Sequence, residues 1–283
     1  MTGFDRRITP ARPDLAAARL RGTVPAARYV DGRRMRVIAS VTPMRPEPIP
    51  DAGIDTELLH GEAVEVYDVT DEGWAWVQAE GDGYVGWVSD DALSDASREP
   101  THVVAVLRCF VFPGPSIKLP ALRWLPFGAR VVVTDRRGDF AVLADGGFVY
   151  APALRLCGET VADPVSVAEA FLGTPYLWGG RSSLGLDCSG LVQTGLAAAG
   201  IGCPRDSDMQ AAGLGHDVAT SGPFRRGDLV FWKGHVGIMR DAETLLHANA
   251  FHMAVVSEPL AEAAARIAAR DGGPIIRVKR LDQ

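Results

Sequence analysis

Cys188 stands in the run Asp187-Cys188-Ser189-Gly190-Leu191-Val192-Gln193. Leu191, Val192 and Leu196 follow it at positions that one buried helix face would take, so the spacing predicts a helix beginning at the thiol. The unpaired N–H groups and positive dipole end of a helix favour a thiolate. A nucleophilic thiol also needs a base, and the base needs a partner that fixes its tautomer. The sequence offers six histidines. His60 lies beside a predicted barrel turn, His102 in a second β region, and His216 and His252 in loop-like stretches. His235 and His247 both fall in predicted strands downstream of Cys188, and a short turn near Asp241 suits a hairpin that sets the two rings side by side. The residues alone leave two readings open. One is a thiol–imidazole pair for nucleophilic catalysis. The other is a buried apolar cysteine with two strand histidines bonded to backbone carbonyls.

The elements that must position these groups follow one another over residues 161–283. Pro164 marks a helix start, and helical spacing runs from Val165 to Leu172 before Gly173. A glycine- and aromatic-rich loop, residues 174–183, leads to Asp187 and to a helix that ends at Gly200. A short helix is predicted over Ser207–Ala212. A turn and strand are predicted over 226–232, strands over 235–239 and 244–248, a helix over Glu258–Ala269, and a last strand over Ile275–Val278. Helices first and strands afterwards make an α+β domain.

The upstream half has a different rhythm. Residues 1–28 carry three prolines and read as an arm over the body, with a short helix over 14–21. Residues 29–97 alternate with period two. Strands are predicted over Met35–Ala39, Thr56–Leu59, Ala63–Asp68, Trp74–Ala79 and 83–88, with a proline-stiffened loop over 42–50. Short strands with Gly and Asp turns mean a small barrel. Residues 98–160 repeat the theme, since Leu125–Val133 (LPFGARVVV) matches Leu58–Val66 (LLHGEAVEV) in pattern. Strands there are expected over 103–106, 127–133, 140–143 and 147–150, with a short strand or turn over 119–125 and Trp124 and Phe127 as packing residues.

Bulk properties narrow the function classes. A chain of 283 residues can bury a sizeable core in more than one domain. Its net charge of −6, with arginines scattered rather than striped, gives no argument for nucleic acid or an anionic membrane surface. No apolar run reaches membrane length and no apolar leader is present, so the default expectation is a cytoplasmic protein with reduced thiols. The four cysteines form no C-x-x-C pair, which leaves zinc without a ligand pattern, and Cys109, Cys157 and Cys203 read as structural. No cofactor or metal is called for, and the sequence sets no oligomeric state.

Two resemblances follow from these residues. Residues 29–97 resemble a bacterial SH3-like (SH3b) domain through LLHGEAVEV, Gly73–Gln78 (GWAWVQ) and Gly83–Val88 (GYVGWV). The downstream half resembles the NlpC/P60 family of papain-like cysteine peptidases. It does so through Asp187–Gln193, Gly234-His235-Val236-Gly237-Ile238, the preceding Arg226–Phe231, Leu245-Leu246-His247-Ala248-Asn249, and Pro175-Tyr176-Leu177-Trp178-Gly179-Gly180. The fold implied is an α+β papain-like catalytic domain preceded by two small all-β SH3-like barrels.

The resemblance implies Cys188 as nucleophile, His235 as base and His247 as its orienting partner. It implies an oxyanion held by the Cys188 N–H and the Tyr176 hydroxyl. Asp187 either caps the helix or binds a substrate amine, and Ser189 either caps or touches substrate. Trp178 either walls the cleft or is core, and Arg181 is a ligand for a substrate carboxylate. The family's activity implies cleavage of the bond between γ-D-glutamate and a diamino acid in muropeptides. Two tandem SH3-like domains favour the recycling members, which read a free N-terminal L-Ala; Glu47 and Tyr84 resemble the residues used for that purpose. Endopeptidases acting on intact wall peptides and non-catalytic wall-binding proteins are the alternatives.

Overall fold

The computed structural model describes residues 3–95, 97–270 and 272–281. The two ends of the expected 1–283 span, Ala96 of the first expected barrel and Asp271 of the α+β domain lie outside them. The chain divides into two compact units, Met1–Glu159 and Thr160–Gln283.

Within the first unit, a five-stranded antiparallel sheet runs in the order Val85–Ser89, Trp74–Ala79, Ala63–Val69, Arg33–Val37, Leu93–Asp95. It closes with the hairpin of Val41–Met44 and Thr56–Leu59 around a core that includes Met44, Leu58, Val64, Val77 and Val88. Thr42 and Met44 thus belong to a strand, where a loop was expected from the prolines. Residues 14–21 also depart from expectation. Leu15–Ala17 is a strand, parallel to Arg28–Val30, followed by one 3-10 turn at Ala18–Leu20. Leu15 packs with Tyr67, Trp76 and Trp87 on the outer side of the sheet, and Arg12 lies 4.4 Å over the Trp76 ring. Burial under those aromatics overrides the helix preference of Leu and Ala.

Residues 102–156 form a second β module with its own core of Val104, Val111, Leu125, Val131, Leu143 and Val149. Its five-stranded sheet is ordered Arg123–Pro126, Arg108–Phe112, Phe148–Tyr150, Phe140–Leu143, Val133–Arg137. A three-stranded sheet combines Arg130–Val131, His102–Val104 and Leu154–Leu156. Two strands, Arg108–Phe112 and Leu154–Leu156, were not expected. The strand expected over 127–133 starts only at Arg130, after a turn at Gly128 (φ +84°), and breaks at Val132 before Val133–Arg137. Trp124 and Phe127 are half-buried.

In the second unit, helices precede the sheet. Helix α1 (Pro164–Glu169) is capped by Asp163, α2 spans Cys188–Ala198, and α3 spans Ser207–Gly213. An antiparallel six-stranded sheet follows in the order His216–Val218, Arg277–Arg280, Leu229–Trp232, His235–Met239, Thr244–Asn249, Ala254–Pro259. Helix α4 (Leu260–Ala268) packs Leu260 and Ala263 on the sheet face that carries Val230, Trp232, Met239 and Leu245. Helix α2 packs against His235–Met239 and Thr244–Asn249 on the other face, where alternation puts Val236, Ile238 and Leu246.

The strand Ala254–Pro259 is absent from the sequence reading, which began a helix at Glu258. Pro259 explains the correction. Its own backbone is extended (φ −57°, ψ 129°) at the cap of α4, and a proline disfavours helical backbone in the residue before it. Glu258 therefore lies in a strand instead of opening a helix.

Candidate active site

Asp187 starts α2 from an extended backbone (φ −93°, ψ 177°), and its carboxylate accepts from the N–H of Gly190 at 2.7 Å. This cap fixes Cys188 as the first helical residue. Gly190 lets the helix start back onto the preceding loop, because a Cβ there would meet the Gly180 carbonyl at 2.4 Å. Only 8% of Cys188 is exposed. The N–H groups of Val236 and Ser189 point at its sulfur, so the thiol abuts the start of the strand that carries His235. Cys188 and His235 share no hydrogen bond among the described residues in this resting arrangement.

The helix end was expected to favour a thiolate, and here the structure differs. Burial and then the Asp187 charge push the Cys188 thiol up to about 12, outweighing the two N–H groups and Arg205. Burial, with His247 and Arg266 behind it, holds the His235 imidazole down to about 3. Both directions favour a neutral thiol and a neutral imidazole.

Behind the cap lies a buried polar cluster that the sequence reading missed. Arg205 is 1% exposed and grips both oxygens of Asp187, at 3.0 and 2.6 Å. It also donates to Ser189 Oγ at 2.9 Å, and Gln210 donates to the Ser189 carbonyl at 3.0 Å. The second Asp187 oxygen accepts from Gly179 N at 2.9 Å as well. Asp187 and Ser189 are thus engaged in holding the helix start. Nothing local in the sequence marks Arg205 as their partner.

Tyr176 is half-buried beside Cys188 and Asp187. Burial, then the charges of those two groups, raise its phenol well above the ordinary value, so the hydroxyl stays a hydrogen-bond donor near the thiol. Trp178, 69% exposed, is not a core residue. Arg181 sits half-buried in the two-strand ribbon of Arg181–Ser182 with Gly185–Leu186. Glu47 and Tyr84 belong to the first unit: Glu47 is exposed in the loop after Met44, and Tyr84 is buried in the core of its barrel.

The two histidines belong to a relay across three adjacent strands. His235 Nε2 and His247 Nδ1 lie 2.8 Å apart. His247 Nε2 lies 2.7 Å from Glu258 Oε1, and Arg266 of α4 clamps that carboxylate with two contacts of 2.6 Å each. The register places Gly237 opposite His247 on the same face, and a Cβ at 237 would meet His247 Cβ at 3.2 Å. The missing side chain gives the His247 ring its room.

The partners assign the protons. Burial opposes ionisation of Glu258, but hydrogen bonds from His247 and Arg266 hold its carboxyl down to about 2. An ionised carboxylate only accepts, so His247 carries its proton on Nε2. Its Nδ1 then accepts from His235 Nε2–H, and His235 Nδ1 keeps a free lone pair. Asn249 Nδ2 lies 3.0 Å from His247 Nε2. With the Nε2 proton aimed at Glu258, that approach shares no proton, and Asn249 Oδ1 instead accepts from His252 N at 2.8 Å. Glu258, Arg266 and Asn249 escaped the sequence reading, although the Glu258-Pro259 pair was a signal for extended backbone. Among the described residues no group of three or more His, Cys, Asp or Glu side chains is arranged to hold a metal ion.

Comparison with known proteins adds to this geometry. Residues 173–266 match the model of the NlpC/P60 family, and residues 44–93 match that of the bacterial dipeptidyl-peptidase SH3 domain. The chain is 31% identical over 228 residues to a γ-D-glutamyl-L-lysine dipeptidyl-peptidase of Bacillus subtilis, covering 70% of this chain and 73% of the relative. It is 28% identical over 204 residues to a protein of the same name from Bacillus cereus, covering 63% of this chain and spanning 60% of that relative's length. It is 27% identical over 236 residues to dipeptidyl-peptidase 6 of Lysinibacillus sphaericus, covering 75% and 86%. A crystal structure of an NlpC/P60 family protein from Bacillus cereus superposes with a TM-score of 0.72 at 22% identity, covering 88% of this chain and 99% of that one, a likeness of fold.

Proposed function

The chain belongs to the NlpC/P60 family, and from that premise we propose that it is a cysteine peptidase hydrolysing the γ-D-glutamyl–diamino acid bond of muropeptides that carry a free N-terminal L-Ala. The observation that carries the reading is the placement of the Cys188 thiol against the Val236 N–H, one residue from His235, whose ring is held by His247. The name of the Bacillus subtilis relative, γ-D-glutamyl-L-lysine dipeptidyl-peptidase, supports the choice of bond. The match of residues 44–93 to a dipeptidyl-peptidase SH3 domain supports the free-amine class. The same reading assigns the work to cytoplasmic recycling of wall peptides. We also read the 102–156 module as a second SH3-like barrel, on its two packed sheets and separate core.

The chemistry starts from the neutral pair. His235 Nδ1 takes the thiol proton as Sγ attacks the scissile carbonyl. The oxyanion accepts from the Cys188 N–H and the Tyr176 hydroxyl. The imidazolium returns its proton to the leaving amine, which departs and leaves a thioester on Sγ. His235, neutral again, deprotonates a water that attacks the thioester, and the released thiolate recovers that proton. The cycle consumes one water and needs no cofactor.

The test is turnover of L-Ala-γ-D-Glu-diaminopimelate by purified protein, with release of L-Ala-γ-D-Glu followed by chromatography. Cys188→Ala should abolish release, and retained turnover sinks the nucleophile assignment. Acetylating the substrate's alanine should block turnover; equal rates on both substrates would replace the free-amine reading with an endopeptidase acting on intact wall peptides.

A further inference from the structure

In the relay, the partner of the catalytic base is itself neutral, and a neutral partner stabilises an imidazolium less than an anion does. The structure places the anion one ring further out. Glu258 lies against the far nitrogen of a fully buried His247, and Arg266 fixes its two oxygens in a bidentate fork. We propose that Glu258 is a positioning residue of the reaction: it sets the tautomers of His247 and His235 and, through the His247 ring, offsets the positive charge that forms on His235 during acyl transfer.

The argument runs along the hydrogen bonds. If Glu258 were uncharged, His247 would have no fixed preference for a proton on Nε2. A proton on Nδ1 instead would face the His235 Nε2 with a donor. His235 would then have to turn its proton to Nδ1, the nitrogen that must receive the thiol's proton. One carboxylate therefore orders two rings in series, as the acid of a Ser-His-Asp triad orders one. Arg266 keeps Glu258 charged, so the carboxylate polarises the relay without taking its proton.

The charged and titratable groups around the relay are few. His247 faces His235 on one neighbouring strand, Glu258 on the other, and Arg266 and His252 beyond them. Glu258 faces His247, Arg266 and, at 4.0 Å, His252 Nδ1. Glu262 on α4 acts on Arg266 from outside. At His235, Glu258 favours the charged ring and Arg266 opposes it.

This inference rests on the assignment of Cys188 and His235 as nucleophile and base. The experiment measures kcat, KM and the pH profile of kcat/KM on L-Ala-γ-D-Glu-diaminopimelate for Glu258→Gln, Glu258→Asp and Arg266→Gln. Nitrogen-15 spectra of the histidine rings are recorded on the same proteins. Glu258→Gln should lower kcat about 10²-fold, less than the about 10⁴-fold lost when the carboxylate directly on the base is neutralised in a Ser-His-Asp triad. KM should change less than about twofold. The acidic limb should move to lower pH, because the anion that favours charged His235 is gone. Arg266→Gln should move it to higher pH. Glu258→Asp, which keeps the charge, should restore the limb toward its wild-type position. The His247 spectrum should show a protonated Nε2 in wild type and proton exchange between both nitrogens in Glu258→Gln. An unchanged profile and ring spectrum in a folded Glu258→Gln overturns the inference, as does a loss of kcat that only tracks the folded fraction. If Glu258→Gln does not fold, the limb shifts of Arg266→Gln and Glu258→Asp decide alone. Turnover by Cys188→Ala would instead remove the underlying reading, whichever way Glu258 behaves.

Discussion

Arg205, wholly inside the protein, holds Asp187 by nitrogen–oxygen contacts of 2.6 and 3.0 Å, and through Asp187 it holds the first turn of the helix that carries the thiol. Removing one member of a buried pair leaves an uncompensated charge, which costs about 3–5 kcal/mol. Arg205→Met should lower stability by about that amount. The double variant Asp187→Asn with Arg205→Met should lose less than the sum. Denaturant unfolding followed by tryptophan fluorescence checks both. Losses that simply add in the double variant would show that the charge pairing is not what matters.

The neutral resting state of Cys188 makes a prediction about alkylation. A thiol pushed up to about 12 should react with iodoacetamide at a rate that keeps climbing through the alkaline range. A preformed thiolate–imidazolium pair would give a flat rate from weakly acid pH upward. Mass mapping of the modified peptide separates Cys188 from the exposed Cys157.

Acid should destabilise the fold through the same relay. His235 and His247 are both held below the ordinary 6.5 of a free imidazole, His235 down to about 3, because burial penalises their charged forms. In the window between those values the unfolded chain binds more protons than the native one. The contribution of His235 is therefore fully present above pH 6.5 and is lost as pH falls toward about 3. His235→Gln should flatten that part of the curve of unfolding midpoint against pH; an unaltered slope would place the acid sensitivity elsewhere.

Tyr176→Phe tests the proposed oxyanion role of this hydroxyl. Loss of one such donor costs about 10²–10³ in kcat, and the ring's packing is retained. Thermal stability should stay near wild type. A kcat within about threefold of wild type would leave Tyr176 as packing alone.

Gly237→Ala probes the room made for His247. The added Cβ would meet Leu245 Cδ1 at 2.7 Å and His247 Cβ at 3.2 Å. Overpacking of this kind costs about 1–3 kcal/mol. Here it should also lower kcat, since the His247 ring must shift against His235. A stable variant of full activity would show that the ring has slack.

The residues proposed to react stand out in the sequence because their signals are local. Asp187 before Cys188 reads as a cap, and His235 and His247 sit in short apolar strands that a tight turn brings together. The residues that tune them do not stand out. Arg205 is separated in sequence from Asp187, and only the fold of the loop before α3 brings it back. Glu258 was assigned to a helix because the stretch from Leu260 onward is rich in Ala and Glu, and that composition masked the extended bias set by Pro259. The Leu15–Ala17 strand was hidden for the opposite reason. Its side chains prefer a helix, and the aromatic surface that overrules them is built from residues far along the chain. Alternation carried most of the first barrel, but the proline of Val41–Met44 argued for a loop where the hairpin partner Thr56–Leu59 secures a strand.

The join at Pro259 carries a mechanical consequence. The edge strand Ala254–Pro259 passes into α4 with no intervening loop, so the rotational phase of the helix is set by the strand itself. Arg266 reaches Glu258 only at that phase. One residue added between Pro259 and Leu260 would turn the guanidinium through about 100°. The carboxylate would then stand unclamped beside the buried ring. Helix α4 thus acts as a keyed shaft: its angle determines whether the charge behind His247 and His235 is locked in place.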